Sequence, residues 1–407
     1  MSKPALVFLC QRLPFPPFKG ERITSFNLLR HLSRHYRVFL GTFVDDPADM
    51  AGIDKLRCLV EDLHVDRIAK PWSYVRALPR WLAGEPVSFA LFRSSGLGQW
   101  LDDIEAKHKP VAIVTHSSNI SAYAVDKFRR HGEEAEPKRI LHFADVDSEK
   151  FVAYAERSRG WAKWLYATEA RRVRHEERRL AAGADVVAFV TDEESDLFRS
   201  IIHEHQERVV TLPNGVDVET FNPNQAFEAP FQSHGAAFVF TGAMDYLPNI
   251  EAVTWFAAEV FPGIRKMLPD AQFLIVGSKP TAEVRKLAAI PGITVTGRVE
   301  SVAAYLAYAQ VAVAPLQIAR GIQNKVLEAM AMAVPIVVSK GALTGISAEP
   351  GKHLICADTP AQWINECVAL VHEPVRAKEI GLAARSVVLR AYTWDAQFAK
   401  LDRLLHD

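Results

Sequence analysis

Two doubly wound α/β domains are what this 407-residue chain predicts, on three observations. Short runs of Val, Ile, Leu and Phe alternate with amphipathic stretches along both halves, the rhythm of βαβ units. The runs are apolar throughout rather than every second residue, as parallel strands covered by helices on both faces are. The chain is also longer than one core supports, since single cores stop growing near roughly 250 to 300 residues.

In order, ALVFLC is the first strand, ITSFNLLRHLSRHY a helix and RVFLGTF the next strand; VAIVTHS, RILHFAD and DVVAFVT follow with helical stretches between. The second half repeats the pattern: AFVFTG, a helix through EAVTWFAAEVFPGIRKML, QFLIVG, a helix near AEVRKLAA, ITVTG, a helix SVAAYLAYA, VAVAPL, a helix NKVLEAMAMAV and PIVVS. Between the halves, PNGVDVETFNPNQAFEAPFQSHGA clusters Pro, Asn and Gly where periodicity lapses. We therefore expect Rossmann-like domains at residues 1–210 and 211–391, facing a cleft, with a last helix over about 392–407 available to pack back on the first.

Composition narrows the function. The formal net charge is zero, which leaves no whole-protein field for nucleic acid, so none is expected as a partner. Cys10, Cys58, Cys356 and Cys367 form no C-x-x-C pair, and a reducing cytosol is the natural setting. The opening apolar run is shorter than a signal-peptide core, and the uncharged stretch from Ser301 to Ala319 is interrupted by Gln310, Pro315 and Gln317, so no membrane span is expected. The loop after ALVFLC, QRLPFPPFKGER, lacks G-x-G-x-x-G; no G-x-x-x-x-G-K-[ST], H-E-x-x-H or G-x-S-x-G appears either. Dinucleotide dehydrogenases, phosphate-loop ATPases and the commonest metalloproteases and hydrolases are thereby disfavoured.

Glu328 is the residue that asks for an explanation. It lies in NKVLEAMAMAV, otherwise as apolar as a buried helix, directly after the strand VAVAPL and the loop QIARG. Ligands of open α/β sheets bind outside the strands' carboxyl ends, and a helix N-terminus there presents free N–H groups to an anion. With Asn324 as N-cap, Lys325 reaches the same anion, and Glu328, about one turn in, can accept from two vicinal ribose hydroxyls. The alternative is a plain Lys325–Glu328 bridge at a spacing of three, worth about 0.2 to 0.5 kcal/mol. A charged pair in so apolar a helix favours the ligand reading.

The segments VVTLPNGVDVETFNP, FVFTGAMDYLPNIEAVTWF, FLIVGS and VLEAMAMAVPIVVS resemble retaining family 4 glycosyltransferases of the GT-B fold, over nearly the whole chain. FADVDSEKF and GIQNKVLEAMAMAVP resemble, more narrowly, sugar transferases associated with exosortase-linked exopolysaccharide systems. The resemblance implies transfer of a sugar from a nucleotide diphosphate donor to a glycan or lipid-linked acceptor, on one face, with no cofactor and no obligatory metal. It makes Glu328 the second glutamate of the family's Glu, seven residues, Glu pattern, contacting the donor ribose; the first falls on Arg320, a departure, since arginine donates where a carboxylate accepts. Gly321 beside it permits close backbone approach.

A second departure follows Gly242, where the family's arginine and lysine are replaced by Ala243, Met244, Pro248 and Asn249. Leaving-group charge still needs a cation; Lys325 ranks first, with Arg320, Arg298 and the helix N-terminus behind it. Asp145, ending RILHFAD near where relatives hold a cleft histidine, is the catalytic candidate of the first domain, while Asp147 reads as a helix cap rather than a metal ligand. Lys19, Gly20 and Arg22 occupy the place of the relatives' acceptor-side loop, with turn chemistry the alternative for Gly20. His116 can meet a sugar hydroxyl or be a loop histidine held by structural hydrogen bonds, and His142 reads as packing.

From Phe151 to Leu180, basic residues interleave with Trp161, Trp164 and Tyr166, either a solvated face or a peripheral contact with the inner face of the cytoplasmic membrane. The expectation is a cytoplasmic retaining glycosyltransferase. Its rivals are a non-catalytic GT-B subunit and a nucleotide-sugar epimerase or hydrolase.

Overall fold

The computed structural model describes residues 3–17, 20–45, 47–68, 70–128, 136–232, 235–317 and 322–406. The chain divides into two compact units, 1–214 with 398–407, and 215–397. The first unit holds a seven-stranded sheet of β1 (Ala5–Cys10), β2 (Arg37–Val44), β3 (Asp62–Arg67), β4 (Ala112–His116), β5 (Lys138–Ala144), β6 (Val186–Phe189) and β7 (Val209–Thr211). All pairs are parallel, in the order β3-β2-β1-β4-β5-β6-β7. The second holds β8 (Ala237–Thr241), β9 (Gln272–Val276), β10 (Ile293–Gly297), β11 (Val311–Ala314), β12 (Ile336–Val338) and β13 (Ile355–Cys356), also parallel, in the order β10-β9-β8-β11-β12-β13.

Each sheet thus reverses direction once, between β1 and β4 and between β8 and β11. These switch points open a crevice at the strands' carboxyl ends, where open α/β sheets bind ligands. The unbroken apolar runs have the predicted cause: every residue of β1, β4, β6, β8, β11 and β12 is buried. Three strands escape the periodicity reading. β3, DLHVDR, is half-exposed and polar, while β7 and β13 are only three and two residues long.

The stretch read as one helix, EAVTWFAAEVFPGIRKML, is an α-helix Leu247–Trp255, a π turn Phe256–Val260 and an α-helix Phe261–Met267. Pro262 has no N–H to give to a carbonyl four residues back, so the ladder widens there and Phe261 N–H bonds Phe256 O instead. The last helix, Trp394–His406, ends in the first unit: Asp402 Oδ1 lies 2.8 Å from His31 Nε2, and Lys400 Nζ donates to Thr211 O at 3.3 Å.

Candidate functional site

The second unit's switch point is crowded by glycines. A Cβ on Gly277, after β9, would lie 1.7 Å from Gly242 O, and one on Gly242, after β8, would lie 2.7 Å from Asn249 Nδ2 and 3.3 Å from Lys325 Nζ. The missing side chains let β8, β9 and the helix Asn324–Ala331 converge. Asn249, almost fully buried, donates through Nδ2 to Ala243 O at 2.8 Å, which orients its Oδ1 toward Lys325 Nζ, the donor to it. Lys325 also stands 4.5 Å above the Phe240 ring centroid, so aromatic and amide together steady a cation in a largely apolar setting. A cation from 83 positions further along the sequence therefore stands beside Gly242.

No ion pair joins Lys325 to Glu328 among the described residues, which removes the bridge reading. Glu328 is partly buried and its carboxylate has no hydrogen-bond partner among them. Burial pushes it up to about 7, with Lys325 opposing, and pulls Lys325 down to about 8, with Glu328 opposing. The two stand on the one side of the helix that the core leaves open, for Val326, Leu327, Ala329, Met330 and Ala331 are all buried. One expectation is corrected. Gln323, not Asn324, holds the N-cap position, with no capping bond from its side chain to the helix, and Asn324 is the exposed first helical residue. Arg298 is exposed just beyond β10, at the same carboxyl edge. Arg320 and Gly321 lie outside the described residues, as does Lys19.

In the first unit, the carboxyl edge carries a built pocket of about 320 Å³ whose lining includes Gln11, Arg12, Asp45, Tyr74, Ser88 and Asn119. Asn119 is buried, and its Oδ1 has no partner among the described residues, so the pocket offers an unmet acceptor. Sequence reasoning passed over this set because its members share no spacing. Behind it the loop after β4 is held by Thr115 and Ser121 hydroxyls 2.5 Å apart and by Ser121 Oγ donating to Ser117 O at 2.8 Å. Ser117 and Ala144, at φ 97° and 71°, are strained non-glycine residues at the ends of β4 and β5.

The candidate residues there are mostly engaged. His116 and His142 are buried with Nδ1 atoms 3.0 Å apart and, among the described residues, both Nε2 atoms lack a partner. Burial pulls them to about 3 and about 4, so one neutral ring donates to the other. Asp145 is half-exposed and lies 2.9 Å from Lys150 Nζ, which also reaches Asp147 at 3.0 Å. Asp147 is not the cap expected of it. Val146 takes that position, and Asp147, the first helical residue, accepts from Ser118 Oγ at 2.5 Å instead. Gly20 opens the helix Gly20–His35, and Arg22, buried, forks onto Asp49 at 2.8 and 2.5 Å.

Compared with known proteins, residues 235–373 match the family described as Glycosyl transferases group 1. A curated relative, the GDP-mannose-dependent monoacylated alpha-(1-6)-phosphatidylinositol monomannoside mannosyltransferase of Corynebacterium glutamicum, is 23% identical, over 77% of this chain and 94% of its own. Among solved structures, sucrose-phosphate synthase from Thermosynechococcus elongatus superposes at TM-score 0.65 with 16% identity, covering 99% of this chain and 98% of that one. HepE of Anabaena in complex with UDP superposes at 0.63 with 12% identity, covering 99% of each chain. The two Rossmann-like sheets are those of GT-B glycosyltransferases. The stretch that matches the group 1 glycosyltransferase family, residues 235–373, is the one that carries Gly242, Asn249, Lys325 and Glu328.

Proposed function

We propose that the protein is a retaining glycosyltransferase. The second unit holds a nucleoside diphosphate sugar, the first binds a glycan or lipid-linked acceptor, and the product serves exopolysaccharide or another cell-surface glycan at the cytoplasmic side of the membrane. The observation that carries this is the Gly242–Asn249–Lys325 cluster with the unpartnered Glu328 carboxylate one turn further along the same helix face. Such a cluster offers a steadied cation for a diphosphate and an acceptor for ribose hydroxyls. Gly242 leaves room for the diphosphate, while Arg298, Arg320, Gly321 and Asn324 contribute to the donor sugar and phosphates.

In the reaction, the bond between the sugar's anomeric carbon and the leaving phosphate breaks, and the acceptor oxygen bonds to that carbon from the same face. The acceptor's proton passes to the leaving phosphate. Lys325 stabilises the charge that develops, the usual dominant contribution. Asp145, held by Lys150, is the catalytic candidate of the first unit, and Gly20, Lys19, Arg22 and His116 shape the acceptor side. No metal or cofactor is assigned: Lys150 already stands between the carboxylates of Asp145 and Asp147. The curated relative's GDP-mannose and HepE's UDP make those two bases the first donors to try.

The test is incubation with UDP- and GDP-sugars, with and without acceptor lipids and glycans, and determination of the product's anomeric configuration by NMR. A glycoside with the donor's configuration is expected. Donor consumption without an acceptor product would instead identify a hydrolase or epimerase, and an intact donor under every condition a non-catalytic subunit.

A further inference from the structure

The helix Lys70–Leu82 in the first unit has its apolar side outward. At about 100° per residue, Trp72, Val75, Leu78, Pro79 and Leu82 share an arc of about 120°. That arc faces solvent, with Trp72, Val75, Leu78 and Leu82 exposed by 71, 62, 52 and 69%. The opposite side carries buried Ala77 and the partly covered Trp81. A helix on a soluble protein ordinarily does the reverse. Large apolar side chains gathered in one exposed patch mark a surface that meets an apolar phase.

Charge says which phase. Arg76 and Arg80 follow next around the helix, on one flank of the arc, and they line a cavity of about 440 Å³ with Arg93 and Lys127, against a single lining carboxylate, Asp126. Arg76 makes no hydrogen bond or ion pair among the described residues, and Arg80 makes one, a 3.2 Å contact with Glu85 that is exposed and therefore weak. Arg93 and Lys127 are held by Glu85, Asp126 and Asp102, which leaves Arg76 and the weakly held Arg80 to meet phosphates; apolar side chains flanked by such guanidinium groups match a bilayer boundary, where acyl chains lie beneath a layer of phosphates. On the same helix, Tyr74 lines the 320 Å³ pocket.

The basic segment 151–180 is a poorer seat. Arg172 donates to Trp81 O, Arg178 to Ile201 O and Arg179 to Asp126, and Arg174 pairs with Glu149, so its later arginines serve the unit's own packing.

We propose that the helix Lys70–Leu82 seats the protein on an anionic lipid bilayer, with Trp72, Val75, Leu78 and Leu82 in the acyl boundary and Arg76 and Arg80 at the phosphates. Seating is independent of the donor reading, because it requires no nucleotide.

The experiment is flotation of the full-length protein with vesicles of phosphatidylcholine alone or mixed with phosphatidylglycerol. Wild type floats with the mixed vesicles and weakly with the neutral ones. Leu78→Glu and Leu82→Glu each lower the bound fraction by at least about tenfold, and Arg76→Ala with Arg80→Ala removes the preference for the anionic vesicles, since each surface cation contributes to that attraction. All these side chains are exposed, so circular dichroism and melting temperature stay those of wild type. No flotation of wild type with anionic vesicles would overturn the proposal, as would wild-type flotation of both glutamate variants. Loss only on Trp161→Glu with Trp164→Glu would move the seat to the other segment. A wild-type dimer that Leu78→Glu dissolves would assign the arc to a second copy of the chain.

Discussion

Lys325 and Glu328 sit three residues apart without pairing, each displaced from its ordinary charge balance by burial. The unbound site is thus electrostatically costly. For Glu328, a folded value near 7 against 4.5 means that the folded state binds more protons than the unfolded one between those values. Its contribution to stability is then present below about pH 4.5 and lost as pH rises through 7. His116 and His142, both lowered, raise stability with pH over part of the same range, so the fall is read as a difference: in thermal unfolding of the unliganded protein, Glu328→Gln should gain stability relative to wild type as pH rises from about 4.5 to 7. The same substitution should weaken nucleoside diphosphate binding by roughly 10- to 100-fold, the worth of about 1.5 to 3 kcal/mol for hydrogen bonds to a charged group, with an unchanged circular dichroism spectrum. Lys325→Met should weaken binding of the diphosphate far more than of the bare nucleoside; equal losses in a paired titration would remove Lys325 from the phosphates. Glu328 was legible as an anomaly because a lone carboxylate in an apolar helix violates the burial rule. Asn249 was not, since nothing in a sequence ties it to a lysine 76 positions later.

At the scale of elements, the carboxyl edge of the second sheet depends on two strand ends that nearly touch. A methyl group on Gly277 would meet Gly242 O at 1.7 Å, so Gly277→Ala must push β8 and β9 apart. We expect a loss of about 1 to 3 kcal/mol, typical of overpacking, measured by denaturant unfolding, together with weaker nucleotide binding. A fully stable, fully binding variant would mean that the edge adapts freely. The long inner strands were legible because burial on both faces leaves unbroken apolar runs, as ALVFLC and AFVFTG show. β3 hid its nature in a polar, half-exposed sequence, and the two- and three-residue edge strands β7 and β13 were too short to carry a period. The π turn before Pro262 marks where periodicity predicted a helix and the missing N–H changed its kind.

At the scale of the molecule, each unit buries its own core: one cluster is drawn wholly from residues 216–392, the other from residues 5–209. Calorimetry should therefore resolve two unfolding transitions, and a nucleoside diphosphate should raise that of the second unit, by about 2.7 kcal/mol at 100 times its Kd. A ligand that raised only the other transition would misplace the donor site. The zero net charge gives no long-range pull on an anionic donor, so affinity has to reside in the local cluster. The most direct test is isothermal titration of the purified protein with UDP, GDP and their sugar conjugates, without added metal. Saturable binding of one nucleotide is expected, lost with Lys325→Met and weakened with Glu328→Gln. Folded protein that binds none of them would contradict it.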